Sequence, residues 1–230
     1  FVESGFSCLK MKVGTNFGSE MEKDVKRVRA VRAAIGSRAR LAVDANQIWS
    51  AKDAVRFAER IADQEIAWFE EPVHSADLIA IRDYCKAAPI PAAMGESEMC
   101  GKVFPSLVEA GVSHLQPCPS QGSGVVEWMQ TRDLACKQQL AFSSGGYSQM
   151  TCQLVATATE DAQTEILVPI IGELNAFFSR CSRLEKGRFI LDQQPGLCLE
   201  VDWKRLASKN LIAQDMGWTR SDFASKLFHV

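Results

Sequence analysis

The chain has 230 residues, 47% of them hydrophobic, which is enough to bury the core of one large domain, and residues 1–230 read as a single domain. Its net charge of −2 gives no electrostatic reason to expect nucleic acid or an anionic membrane as a partner. The longest apolar runs, such as 166–171, are strand length and far short of a membrane span.

Phe1-Val2-Glu3-Ser4-Gly5 has no basic segment followed by an apolar stretch, so no secretory signal is visible, and without an initiator Met upstream sequence is expected to be missing. The cysteines stand singly at 8, 85, 100, 118, 136, 152, 181 and 198, without the C-x-x-C pairs of a zinc site or a redox motif. The expectation is that most are buried free thiols in a cytoplasmic protein.

A first strand is read near 7–13, followed by a helix over 20–35 with Val25, Val28, Val31 and Ile35 on one face. A second strand over 40–44 leads to a helix over 51–63 that places Ala54, Val55, Ala58 and Ile61 together. Further strands are read near 66–70, 92–96, 114–118, 140–144 and 165–169, with helical segments between them. Short apolar runs alternating with helical periodicity are the pattern of parallel βα units. Strand starts recur roughly every 25 to 30 residues, close to the about 31 per unit of a closed (β/α) barrel. An α/β fold of the TIM-barrel type is therefore favoured over a doubly wound open sheet, because no Gly-rich phosphate turn follows an early strand. Seven strands are counted, so the barrel is expected to be incomplete at its N-terminus or to hold one unrecognised strand.

Three acids fall at the same point of successive units. Asp44 ends Leu41-Ala42-Val43-Asp44, Glu70 ends Ala67-Trp68-Phe69-Glu70, and Glu96 follows Ala92-Ala93-Met94-Gly95, each 26 residues from the last. In a barrel the C-terminal strand ends converge, and three packed carboxylates repel unless a cation neutralises them. Ligation by oxygen alone points to Mg²⁺ first and Mn²⁺ second. The plainer alternative is that each acid separately caps the following helix or pairs with a surface base. In the opening strand, Lys10 and Lys12 share a face by the period of two, while Leu9, Met11 and Val13 take the other. Mutual repulsion and desolvation would leave one of the pair a usable base, unless the strand is an exposed edge with solvated lysines.

The series Leu9-Lys10-Met11-Lys12-Val13-Gly14, Val43-Asp44-Ala45-Asn46-Gln47, Trp68-Phe69-Glu70-Glu71-Pro72 and Gly95-Glu96 closely resembles the mandelate racemase / muconate lactonizing enzyme branch of the enolase superfamily. That resemblance implies Mg²⁺ on Asp44, Glu70 and Glu96, and Lys12 as the base that takes the proton α to a substrate carboxylate, with Lys10 lowering the proton affinity of Lys12. It also implies a substrate pocket that includes Asn46. Family members carry an α+β capping domain; this chain is expected to lack it and to begin at the second barrel strand. The second half departs from the family pattern. Where racemases of the group place an Asp and a His on the face opposite the lysines, alignment puts Cys118 and Gly145, and Gln121 lies near the position of a muconate-lactonizing lysine. Glu165 matches a position that hydrogen-bonds the substrate carboxylate or enolate, with a helix cap as the alternative.

Ser144 and Tyr147 follow the strand near 140–144 and could reach a substrate, although Tyr147 in a Gly-rich loop is more often packing. His114 reads as a satisfied interior histidine, His74 as a surface loop residue and Trp68 as core. The candidate site is then Lys12 and Lys10 as base pair, Asp44, Glu70 and Glu96 as metal ligands, and Glu165, Asn46, Cys118 and Ser144 toward a small carboxylate substrate. The resemblance also implies a homo-oligomer. Dehydration of a hydroxy or sugar acid ranks first, racemisation or epimerisation second, and a metal-binding paralogue without turnover remains open.

Overall fold

The computed structural model of the chain describes residues 1–191, 194 and 196–209. Among them, strands β1 (Cys8–Lys12), β2 (Arg40–Asp44), β3 (Ile66–Glu70), β4 (Ala92–Met94), β5 (His114–Leu115), β6 (Ala141–Ser144) and β7 (Gln163–Thr164) form one parallel sheet in sequential order. Sequential order has no switch point, which excludes the doubly wound alternative. The sheet curls into a half-barrel with helices along the chain between its strands.

Local sequence explains the helices. In α1 (Met21–Ile35), Val25, Val28 and Ile35 are buried at helical spacing, and Gly36 at φ 57 ends the helix by donating to the Arg32 carbonyl. Helix α2 (Ala51–Arg60) starts where Ser50 accepts from the Asp53 amide, and α3 (Leu78–Ala87) where Asp77 accepts from the Ala80 amide. Helices α4 (Phe104–Glu109), α5 (Gly124–Gln138), α6 (Ser148–Val155) and α7 (Val168–Asn175) continue the alternation.

The strand period of two divides the molecule. Leu41, Val43, Phe69, Met94 and Leu115 join Val28, Phe57, Tyr84 and Phe104 in the main core. A smaller inner cluster holds Ala42, Trp68 and Ala93. Phe57 has no exposed surface, and burying such a side chain contributes about 1.5–3 kcal/mol.

Several boundaries differ from the sequence reading. The helix read over 51–63 stops at Arg60, and Glu96 lies beyond the end of β4. The apolar run 166–169 is not the last strand. That strand is Gln163–Thr164, and α7 begins at Val168 with Pro169 in its first turn, where a missing N–H leaves no bond unmade. After α7 come two small antiparallel pairs that carry no sequence signal, β8 (Phe178–Arg180) with β11 (Glu200–Val201) and β9 (Arg183–Glu185) with β10 (Arg188–Ile190), and then α8 (Trp203–Ser208). Of the eight cysteines only Cys118, Cys152 and Cys198 are buried, fewer than expected. No helix of the described residues is long and apolar enough to cross a membrane.

Candidate metal centre

Register sets the site. Lys12 pairs with Asp44 across β1 and β2, and Asp44 with Glu70 across β2 and β3, so the tips of three adjacent strands lie in one row. After β4, Gly95 adopts φ 131, a conformation open to glycine, and Glu96 follows it into the same row. Oxygens of Asp44, Glu70 and Glu96 all lie within 4.8 Å of one another. Ligands around Mg²⁺ at about 2.1 Å stand about 3–4 Å apart, so this set fits a hard divalent cation with small adjustment.

The two lysines have different surroundings. Lys10 Nζ meets three carboxylates: Glu70, Glu165 at 2.7 Å and Asp44 at 3.2 Å. Lys12 Nζ meets two acceptors, Asp44 Oδ2 and Asn46 Oδ1 at 2.6 Å, and its side chain is 55% exposed against 15% for Lys10. Asn46 also donates to Glu96 Oε1 at 2.8 Å, which ties the second lysine to the third acid.

Electrostatics follow from the count of charges. Burial works against a charged Lys10, but Glu70, Glu165 and Asp44 outweigh it and hold the ammonium well above its ordinary range. Of the two lysines, Lys10 is therefore held charged by the acids that surround it. Burial likewise opposes a charged Asp44, yet Lys10 and Lys12 keep its pKa below the carboxylate range. Glu70 is pushed up to about 8, first by burial and then by Asp44 and Glu96 against the pull of Lys10. Glu96 is raised too, first by burial and then by Asp44 and Glu71, against the pull of Lys10 and Lys12. Four acids against two lysines leave a surplus of negative charge, which a retained proton or a cation can relieve.

Beside this row lies a cavity of about 890 Å³ between the β1 and β7 sides of the sheet, reached by Lys10, Lys12, Trp68, Gln116, Ser143 and Glu165. Two residues read as substrate contacts are placed otherwise. Ser144 is fully buried, accepting from Trp128 Nε1 at 2.9 Å and donating to the Pro117 carbonyl at 2.9 Å. Cys118 is also fully buried, its sulfur 3.3 Å from Ser120 Oγ. Their polar atoms are engaged within the fold rather than offered to a ligand. Glu165 and Asn46 do reach the acids. Glu165 follows the tip of β7, and its carboxylate closes on β1. His114 is interior and Trp68 largely buried, as read, and Tyr147 stacks on Phe178 at 5.8 Å. His74 is exposed.

A chain of polar residues under the acids escaped the sequence reading. Gln116 Nε2 donates to Glu70 Oε2 at 2.8 Å and to Ser143 Oγ at 3.0 Å, and Ser143 Oγ lies 2.9 Å from His114 Nε2. A polar residue at or just past a strand end, Gln116 after β5 and Ser143 in β6, was the available signal.

Residues 1–205 match the model of a family described as enolase C-terminal domain-like. A 3,6-anhydro-alpha-L-galactonate cycloisomerase from Streptomyces coelicolor is 28% identical over 90% of this chain and 56% of its own length. An L-talarate/galactarate dehydratase from Salmonella typhimurium is 31% identical over 59% of this chain and 33% of its own. Among solved structures, a racemase from Streptomyces coelicolor with bound magnesium superimposes with a TM-score of 0.81 at 27% identity, over 90% of this chain and 56% of that one. The chain thus spans 56% or less of the length of these relatives.

Proposed function

The chain belongs to the enolase C-terminal domain-like family, within the mandelate racemase / muconate lactonizing enzyme group, and on that premise we propose that it removes the proton α to a substrate carboxylate in a Mg²⁺-dependent reaction. Asp44, Glu70 and Glu96 would hold the cation. When bound, it supplies positive charge against the substrate carboxylate as negative charge develops there.

The observation that carries the assignment of the base is the number of acceptors at each lysine. Lys10 faces three carboxylates, as many as an ammonium has N–H groups. Lys12 faces two acceptors, Asp44 and Asn46. A neutral amine satisfies both with its two N–H groups and keeps a lone pair for the α-proton. Lys10 stays charged and electrostatically stabilises the carboxylate end of the substrate.

Dehydration of a hydroxy or sugar acid is the first reading. The α-C–H bond breaks to Lys12, the electron pair forms the new C=C bond, and hydroxide leaves from the β-carbon, taking a proton to depart as water. Protonated Lys12 is then the nearest acid, which makes syn elimination the expected geometry. Racemisation needs a second acid on the opposite face. At the position expected for it, Gly145 has no side chain, and a Cβ there would stand 3.7 Å from Glu96 and Glu165 oxygens. The names of the dehydratase and cycloisomerase relatives support an acid substrate of sugar type. Solvent-deuterium incorporation at the α-carbon of such acids, read by NMR, tests the proposal. Incorporation in one enantiomer only is expected, and incorporation in both at comparable rates would contradict the one-base site.

A further inference from the structure

Glu70 is the central ligand of the row, and its two oxygens are treated differently. Oε1 faces Lys10. Oε2 is met from inside the barrel by two neutral donors, Gln116 Nε2 at 2.8 Å and Trp68 Nε1 at 3.3 Å. We propose that Gln116 is the positioning residue that fixes the carboxylate of Glu70, holding Oε2 inward so that Oε1 alone is presented to a cation; this rests on the cation site proposed above.

The orientation of the Gln116 amide supports the role. Gln116 is 5% exposed, and its Nε2 spends both hydrogens, one on Glu70 and one on Ser143 Oγ. Its Oε1 is buried and, among the described residues, accepts no hydrogen bond. Orphaned buried acceptors are unfavourable and uncommon. Turning the amide over would set Oε1 against a carboxylate oxygen, which is worse. The fold therefore tolerates an unmade bond on one side of this amide to keep its donor on Glu70.

Ser143 completes the support. Its hydroxyl stands between Gln116 and His114 Nε2, and His114 packs edge-on against Trp68 with ring centroids 4.7 Å apart. Both donors to Glu70 Oε2 are thus braced by the same histidine. A hydrogen-bonded partner behind a ligand sets ligand orientation, and its loss typically weakens metal affinity about 10- to 100-fold.

Titrating the chain with Mn²⁺ and following the bound ion by electron paramagnetic resonance tests this. Q116M, which keeps the volume without the donor, is expected to bind about 10- to 100-fold more weakly. The fine structure of its bound-ion spectrum should also change, because Glu70 is free to rotate toward bidentate ligation. S143A is expected to weaken binding a few-fold, since Gln116 loses one of its two anchors. Wild-type affinity, within twofold, and an unchanged spectrum in Q116M would overturn the proposal. Should Q116M fail to fold, unchanged affinity in S143A overturns it instead. E70Q separates the two levels: undiminished Mn²⁺ binding there would refute the cation site itself, whereas loss in E70Q with no loss in Q116M would refute only the role of Gln116.

Discussion

Lys10 in β1 and Glu165, just past β7, form an ion pair at 2.7 Å that joins the two ends of the parallel sheet. The pair exists because the sheet curls, and it converts a strand lysine into the hub of three carboxylates. Removing that hub leaves Glu70 and Asp44 buried with less compensation. Lys10→Met should therefore destabilise the cation-free protein by about 3–5 kcal/mol, the usual consequence of breaking a buried ion pair from one side. Urea denaturation of wild type and variant measures it, and added Mg²⁺ should recover part of the loss.

Stability without the cation should fall as pH rises. Glu70 has its pKa raised from 4.5 to about 8, so the folded chain holds this proton more tightly than the unfolded chain. The contribution is fully present below pH 4.5 and is lost as pH climbs to about 8. Melting temperatures across that window, with chelator present, should decline in wild type and decline less in Glu70→Gln. A cation needs the ionised carboxylate, so stabilisation by Mg²⁺ should grow over the same window.

Mg²⁺ at about one hundred times its dissociation constant should add about 2.7 kcal/mol of stability. For a domain of this size that raises the melting temperature by about 5–10 °C. A thermal scan against an ionic-strength control checks the shift, and Glu70→Gln should reduce it.

Lys12→Ala should abolish α-deuterium incorporation while leaving the Mg²⁺-induced rise in melting temperature in place, because Lys12 is not among the three proposed ligands. NMR in D₂O gives the first quantity and a thermal scan the second. Asn46→Ala should slow incorporation less severely, since the amide orients Lys12 without receiving the proton.

Much of this site is legible in the sequence because strand tips repeat. Asp44 and Glu70 end their strands where the apolar runs end, and the even spacing carries over to Glu96 even though β4 stops at Met94. The face shared by Lys10 and Lys12 follows from the period of two, but the charge held on Lys10 does not. It depends in part on Glu165, whose arrival at Lys10 requires the curl of the whole sheet. The run 166–169 misleads because apolar residues followed by Pro169 suit a short strand as well as the first turn of α7. The roles of Gln116 and Ser143 went unread for a different reason. A polar residue in a strand shows only that it is polar, and its meaning lies in Glu70 and His114 on neighbouring strands.

The claim that Asp44, Glu70 and Glu96 hold one divalent cation is tested most directly by anomalous diffraction from crystals of the chain grown with Mn²⁺. The account predicts a single strong anomalous peak bounded by oxygens of those three residues at about 2.0–2.2 Å, with Lys12 outside the coordination sphere. A map with no peak there at saturating Mn²⁺, or with its peak on other residues, would contradict it.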